Sequence, residues 1–161
     1  MKTPQSTRAR ALGLLAMLIM LLIRGPSIAQ PQAGMLTTPS AHGFTETLTR
    51  LRAALQAKGF TIFATIDHAA GATGVGQTLR PTTVVIFGNP AAGTPLMQAQ
   101  QTIGLDLPLK ILVWEDQNNK TWITSDDPAW LAQRHAIPTT TPQIAGMSAA
   151  LKALAEAAGQ N

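Results

Sequence analysis

The chain has 161 residues, 45% of them hydrophobic, and no cysteine. That length suits one domain, and a core of apolar side chains must hold it together, because disulfides, thiolate metal sites and a thiol nucleophile are all excluded. Of the 12 Lys+Arg residues, Lys2, Arg8, Arg10 and Arg24 precede residue 30, where there is no acid, so the remainder carries 8 basic and 8 acidic residues and lacks the basic footprint of a nucleic-acid binder.

The basic start leads into the apolar run Ala11 to Ile23, followed by Arg24, Gly25, Pro26 and the small-residue pattern Ser27-Ile28-Ala29. This order predicts a secretory signal peptide over residues 1–29, cut after Ala29. The alternative is an uncleaved anchor, although the run is shorter than the roughly 20 residues that cross a bilayer. The expected location is the periplasm or the outside of the cell, with no stable transmembrane span after cleavage. Without cysteine, the amino terminus cannot carry a lipid on a thiol.

Gln30 to Pro39 reads as a tether entering a first strand near Met35–Thr38. Phe44, Leu48, Leu51 and Leu55 recur at helical spacing, and Gly59 stops the helix they define over residues 44–58. Phe60 to Ile66 is β-branched and aromatic and predicts a strand. Asp67 to Arg80, rich in Gly and Ala, predicts a loop with a short helical turn. The continuous apolar run Thr82 to Phe87 predicts a central strand, broken by Gly88-Asn89-Pro90. Thr94-Pro95 supplies an N-cap and first-turn proline for a short helix through Gln101. Leu109 to Trp114 and Lys120 to Ser125 form a hairpin about the polar turn Glu115 to Asn119, with Trp114 and Trp122 able to meet across it. Asp127-Pro128 caps a helix ending by Ile137-Pro138. Ile144, Met147, Leu151 and Leu154 then mark one face of a terminal helix. The sum is an α+β fold: a mainly antiparallel sheet in the order strand, helix, four strands, helix, with helices packed on one face and an extra C-terminal helix.

Three stretches carry a resemblance. Thr65-Ile66-Asp67-His68-Ala69, Val85-Ile86-Phe87-Gly88-Asn89-Pro90 through Gly93-Thr94-Pro95-Leu96-Met97, and Leu105-Asp106-Leu107-Pro108-Leu109-Lys110 resemble the core of the bacterial family called domain of unknown function 302 (DUF 302), over roughly Leu36 to Ile137. The resemblance implies a compact α+β domain and a homodimer, in a family whose members are often exported. It implies no activity. The chain then divides into the signal peptide (1–29), a tether with the first strand (30–40), the DUF 302-like domain (41–137), and a linker with an amphipathic C-terminal helix (138–161).

Several polar residues stand at strand ends. Asp67 and His68 follow a strand directly, where an imidazole can be charged or a ligand held. The plainer reading is that they end the strand and cap the next loop. Gly88 to Thr94 can present backbone N–H groups to an anion, or be a tight turn. Gly88 and Gly93 have the spacing of a phosphate loop, but Thr94 replaces its lysine and Pro95 has no N–H, which excludes nucleotide hydrolysis of that type. Lys110 is an edge lysine or a group that binds a carboxylate or phosphate. Glu115, Asp116, Asp126 and Asp127 read as turn and cap residues. His42, His68 and His135 have no ligand spacing, Met35, Met97 and Met147 are isolated, and no Gly-x-Ser-x-Gly elbow occurs. The tryptophans read as core or dimer anchors. No metal site and no cofactor follow from these residues.

The leading expectation is an exported binding domain, a homodimer, holding a small ligand or protein partner with Asp67, His68, Asn89, Thr94 and Lys110. One alternative is a hydrolase-type enzyme with His68 as general acid/base and Asn89 or Lys110 steadying negative charge. The other is a purely structural dimerisation domain.

Overall fold

A computed structural model describes residues 33–161. The expected signal peptide (1–29) and the start of the tether lie outside the described residues.

Five strands form one antiparallel sheet in the spatial order β1-β5-β4-β3-β2. They are β1 (Met35–Pro39), β2 (Thr61–Asp67), β3 (Thr82–Gly88), β4 (Leu109–Glu115) and β5 (Thr121–Asp126). The helices are α1 (Phe44–Ala57), α2 (His68–Gly74), α3 (Pro90–Ala99), α4 (Pro128–Arg134) and α5 (Pro142–Gly159), with a 3-10 helix at Gln101–Leu105 before β4. The α+β class is as the sequence predicts. The four later strands are not consecutive, however, because α2 and α3 come between them.

Strand alternation builds the core. Thr83, Val85 and Phe87 of β3, Leu109, Ile111 and Val113 of β4, and Thr121 and Ile123 of β5 are buried on one sheet face. Leu51 and Leu55 of α1 and Leu151, Leu154 and Ala158 of α5 cover that face. Each fully buried aliphatic or aromatic side chain contributes about 1.5–3 kcal/mol. Phe60 meets Phe87 edge-on, with ring centroids 5.4 Å apart. The terminal helix is therefore integral to the core. Its last glycine, Gly159, is buried, and a Cβ there would lie 3.0 Å from Ile123 Cδ1, so a side chain would require the neighbouring groups to shift. A second cluster joins Leu96, Ile103, Ala132, Ile137 and Ile144, with Met97, Leu107 and Met147 packed against it.

Among the described residues, no buried core cluster lies on the opposite sheet face. The register aligns its outward side chains in rows, one running Thr37, Thr124, Leu112, Val84 and Ile66. A neighbouring row holds Trp122, Trp114 and Thr82. None of these residues is buried. Trp114 stacks on Trp122 at 6.2 Å and 22°, so the expected cross-hairpin meeting is present, but on the open face rather than in the core. Trp114 Nε1 donates to Thr124 Oγ1 at 2.9 Å, which satisfies the indole N–H.

The helix after β3 begins earlier than the sequence predicts. Asn89, not Thr94, is the N-cap: its side-chain oxygen accepts from Ala91 N at 3.0 Å, and Pro90 occupies the first helical position. Pro95 lies inside the helix.

Candidate functional site

A cavity of about 470 Å³ opens at the end of the sheet where β3 finishes and β4 begins. Gly88 to Thr94 and Met97 form one wall, Leu107-Pro108-Leu109 a second, Gln143, Gly146, Met147 and Ala150 of α5 a third, and Phe60 and Phe63 a fourth. Phe63 reaches this wall because the β2–β3 register slips between Ile62 and Ala64. Such a bulge re-aims the extra side chain. Gly88 permits the approach, since a Cβ there would stand 3.4 Å from both the Phe63 ring and Pro108 Cβ.

Of the five residues expected to share a pocket, Asn89 and Thr94 line this cavity and the other three do not. Thr61 pairs with Gly88, while Asp67 pairs with Thr83. Asp67 and His68 therefore lie at the far end of β3, about 20 Å from Asn89 along a strand rising ~3.3 Å per residue. Asp67 Oδ1 accepts from Ala70 N at 2.9 Å and caps α2, and His68 opens that helix in an exposed position. Lys110 alternates away from the buried Leu109 and Ile111, and its Nζ donates to the Asp106 carbonyl at 2.9 Å. The single five-residue pocket is thus corrected to two of its members.

The anion-loop reading is also corrected. Ala91 N is taken by the Asn89 side chain, and Ala92 N and Gly93 N both donate to Asn89 O at 3.0 Å. These donors are committed to the helix start and none is left to face a ligand. No charged side chain lines the cavity; Asn89, Thr94 and Gln143 are its polar side chains.

A polar cluster that the sequence reading passes over braces two of these walls. His135 Nε2 meets Asp106 Oδ2 at 2.6 Å, and His135 Nδ1 meets Thr102 Oγ1 at 3.0 Å. Arg134 Nη1 donates to Asp106 Oδ1 at 3.2 Å. Asp106 directly precedes Leu107 and Pro108, and His135 precedes the turn into α5. A hydroxyl, an imidazole and a carboxylate in this order resemble a nucleophile relay, but Thr102 stands exposed and is not among the cavity-lining residues. The pair is 29 residues apart in sequence; the only signal was Asp106 within the third motif.

Asp116 sits in the turn between β4 and β5, where its Oδ1 accepts from Asn118 N at 2.8 Å. Its carboxyl is held below its ordinary value, first by the Trp122 indole N–H and then by the Lys120 backbone N–H. These hydrogen bonds tie Asp116 into the hairpin turn, as the sequence predicts. Among the described residues, no group of three or more His, Asp or Glu could hold a metal ion.

The architecture defines a class: a two-layer α+β domain with one covered sheet face, one open face and an apolar cavity at a strand end. The chain matches the family described as Domain of unknown function DUF302 over residues 36–158, and it belongs to that family. The crystal structure of an uncharacterized conserved DUF302 protein from Bacillus stearothermophilus shares the fold with a TM-score of 0.71, covering 79% of this chain and 99% of that one at 21% identity. The chain is also 50% identical over 105 residues to the fluoride-specific ion channel FluC 1 of Brucella suis biovar 1, covering 65% of this chain and 41% of the relative. FluC 2 of Brucella melitensis biotype 1 matches at 50% over 105 residues, covering 39% of its own length. The chain thus spans about two fifths of the curated relatives it matches.

Proposed function

We propose that this protein is an exported binding domain that takes up a small molecule in the cavity beside Asn89 and acts as a homodimer. The cavity carries the reading: its volume of about 470 Å³ falls within the range of about 300–1,000 Å³ usual for ligand sites, and its lining is apolar with a few polar groups. The pocket now comprises Asn89 and Thr94 with Gln143, without Asp67, His68 or Lys110.

The open sheet face supports self-association. Five strands about 4.8 Å apart and up to ~20 Å long give it a projected area of roughly 450 Å². The same patch on both partners is what a two-fold dimer uses. Export rests on the pattern of residues 1–29. The channel name of the Brucella relatives belongs to whole proteins of which this chain matches part, and among the described residues no helix is long and apolar enough to cross a membrane.

Native mass spectrometry of protein purified from the exported fraction tests the reading. The expected species is a dimer whose chains begin at Gln30 and which retains a small molecule. Leu112→Asp, on the open face, is expected to give monomers. A dimer unaffected by that charge removes the proposed interface. Protein that carries no added mass, and whose melting temperature no small molecule raises, overturns the binding function.

A further inference from the structure

We infer that the ligand of this cavity is an uncharged, ring-bearing apolar molecule of about fifteen non-hydrogen atoms, an inference that rests on the binding reading above. The size follows from the volume: about 470 Å³, at roughly 30 Å³ for each water-sized group, admits on the order of fifteen such groups.

The exclusion of charge follows from three placements. The cavity wall contains no Lys, Arg, His, Asp or Glu. The backbone donors at the start of α3, which would otherwise attract an anion, are all bonded to Asn89. The nearest acid in sequence to the Leu107 wall, Asp106, is engaged by His135 and Arg134, and Lys110 is turned to the Asp106 carbonyl. A charge held within these walls would lose its hydration and find no partner, which is the costly case of burial.

Ring character follows from the apolar walls. Met97 and Met147 come from separate helices to one cavity, and Phe60 and Phe63 close it on the sheet side. Thioethers and ring edges contact an aromatic ligand favourably. Thr94 and Gln143 supply hydrogen-bonding groups at the wall, so one hydroxyl, carbonyl or N–H on the ligand can be matched without a charge.

The test uses a pair of fluorescent probes with one skeleton: neutral N-phenylnaphthylamine and its sulfonated analogue anilinonaphthalenesulfonate. The expected result for the full mature protein is saturable enhancement with the neutral probe and binding about tenfold or more weaker for the sulfonate, because the sulfonate has no partner. Gly146→Leu is expected to abolish binding of the neutral probe with an unchanged melting temperature. A Cβ at Gly146 meets nothing within 4 Å, so the leucine enters cavity space without a clash. Should that variant melt early, Ala150→Leu on the same helix makes the same test. Equal or tighter binding of the sulfonate overturns the inference of a neutral ligand and leaves the cavity standing. Failure of both probes overturns the cavity as a binding site. Binding that survives both leucine variants places the probe elsewhere and overturns the inference as well.

Discussion

The two faces of the sheet are written by the same alternation, yet they have different fates. In β3, Val85 and Phe87 are fully buried, while Val84 and Ile86 are only half-buried. In β4, Ile111 and Val113 are buried, while Leu112 and Trp114 are partly open. Both faces carry large apolar side chains, although Thr37, Thr82, Thr124 and Lys110 also stand on the outer one. What separates them is the presence of α1 and α5 on one side, so hydrophobicity alone does not say which face is the core. An apolar face left open in a folded chain is the kind of surface that protein partners cover.

Substitutions on the two faces sharpen this contrast. The largest effect is expected for Phe87→Ala, which removes a ring packed edge-on against Phe60 and should cost about 3–5 kcal/mol by denaturant unfolding. His135→Ala comes next. It leaves Asp106 without its closest partner in a nearly buried position, and a loss of about 2 kcal/mol is expected. Leu112→Ala on the open face should cost about 1 kcal/mol or less in the monomer; a loss as large as that of Phe87→Ala would mean the face is covered within a single chain. The smallest effect is a titration. The Asp116 carboxyl is depressed below 3.8, so its support of the hairpin is complete above that value and lost as pH falls through the lowered one. Trp122 fluorescence should report this acid transition, and Asp116→Asn should abolish it.

Much of the fold was legible because local pattern and tertiary outcome agree. The apolar run from Thr82 to Phe87 announces a strand with neighbours on both sides, and β3 has them. The spacing of Leu51 and Leu55 announces a face that α1 buries. The start of α3 was misread because two prolines, Pro90 and Pro95, each suit a first helical turn, and the choice between them lies in the cap hydrogen bond. The site was harder to read for a geometric reason. In an antiparallel sheet the ends of consecutive strands fall at opposite poles, so polar motifs after β2 and after β3 are carried apart. Methionines that look isolated, Met97 and Met147, are brought together. Neither event leaves a mark in spacing.

The additional residue in β2 has a consequence for comparing chains of different length. With Phe63 removed, Ile62 and Ala64 would become neighbours and continue the inward and outward alternation of the ladder opposite Phe87 and Ile86. The deletion would tidy an edge strand and take away a wall of the cavity. A gap at this point in an alignment would therefore mark a change in the wall of the cavity rather than in a loop.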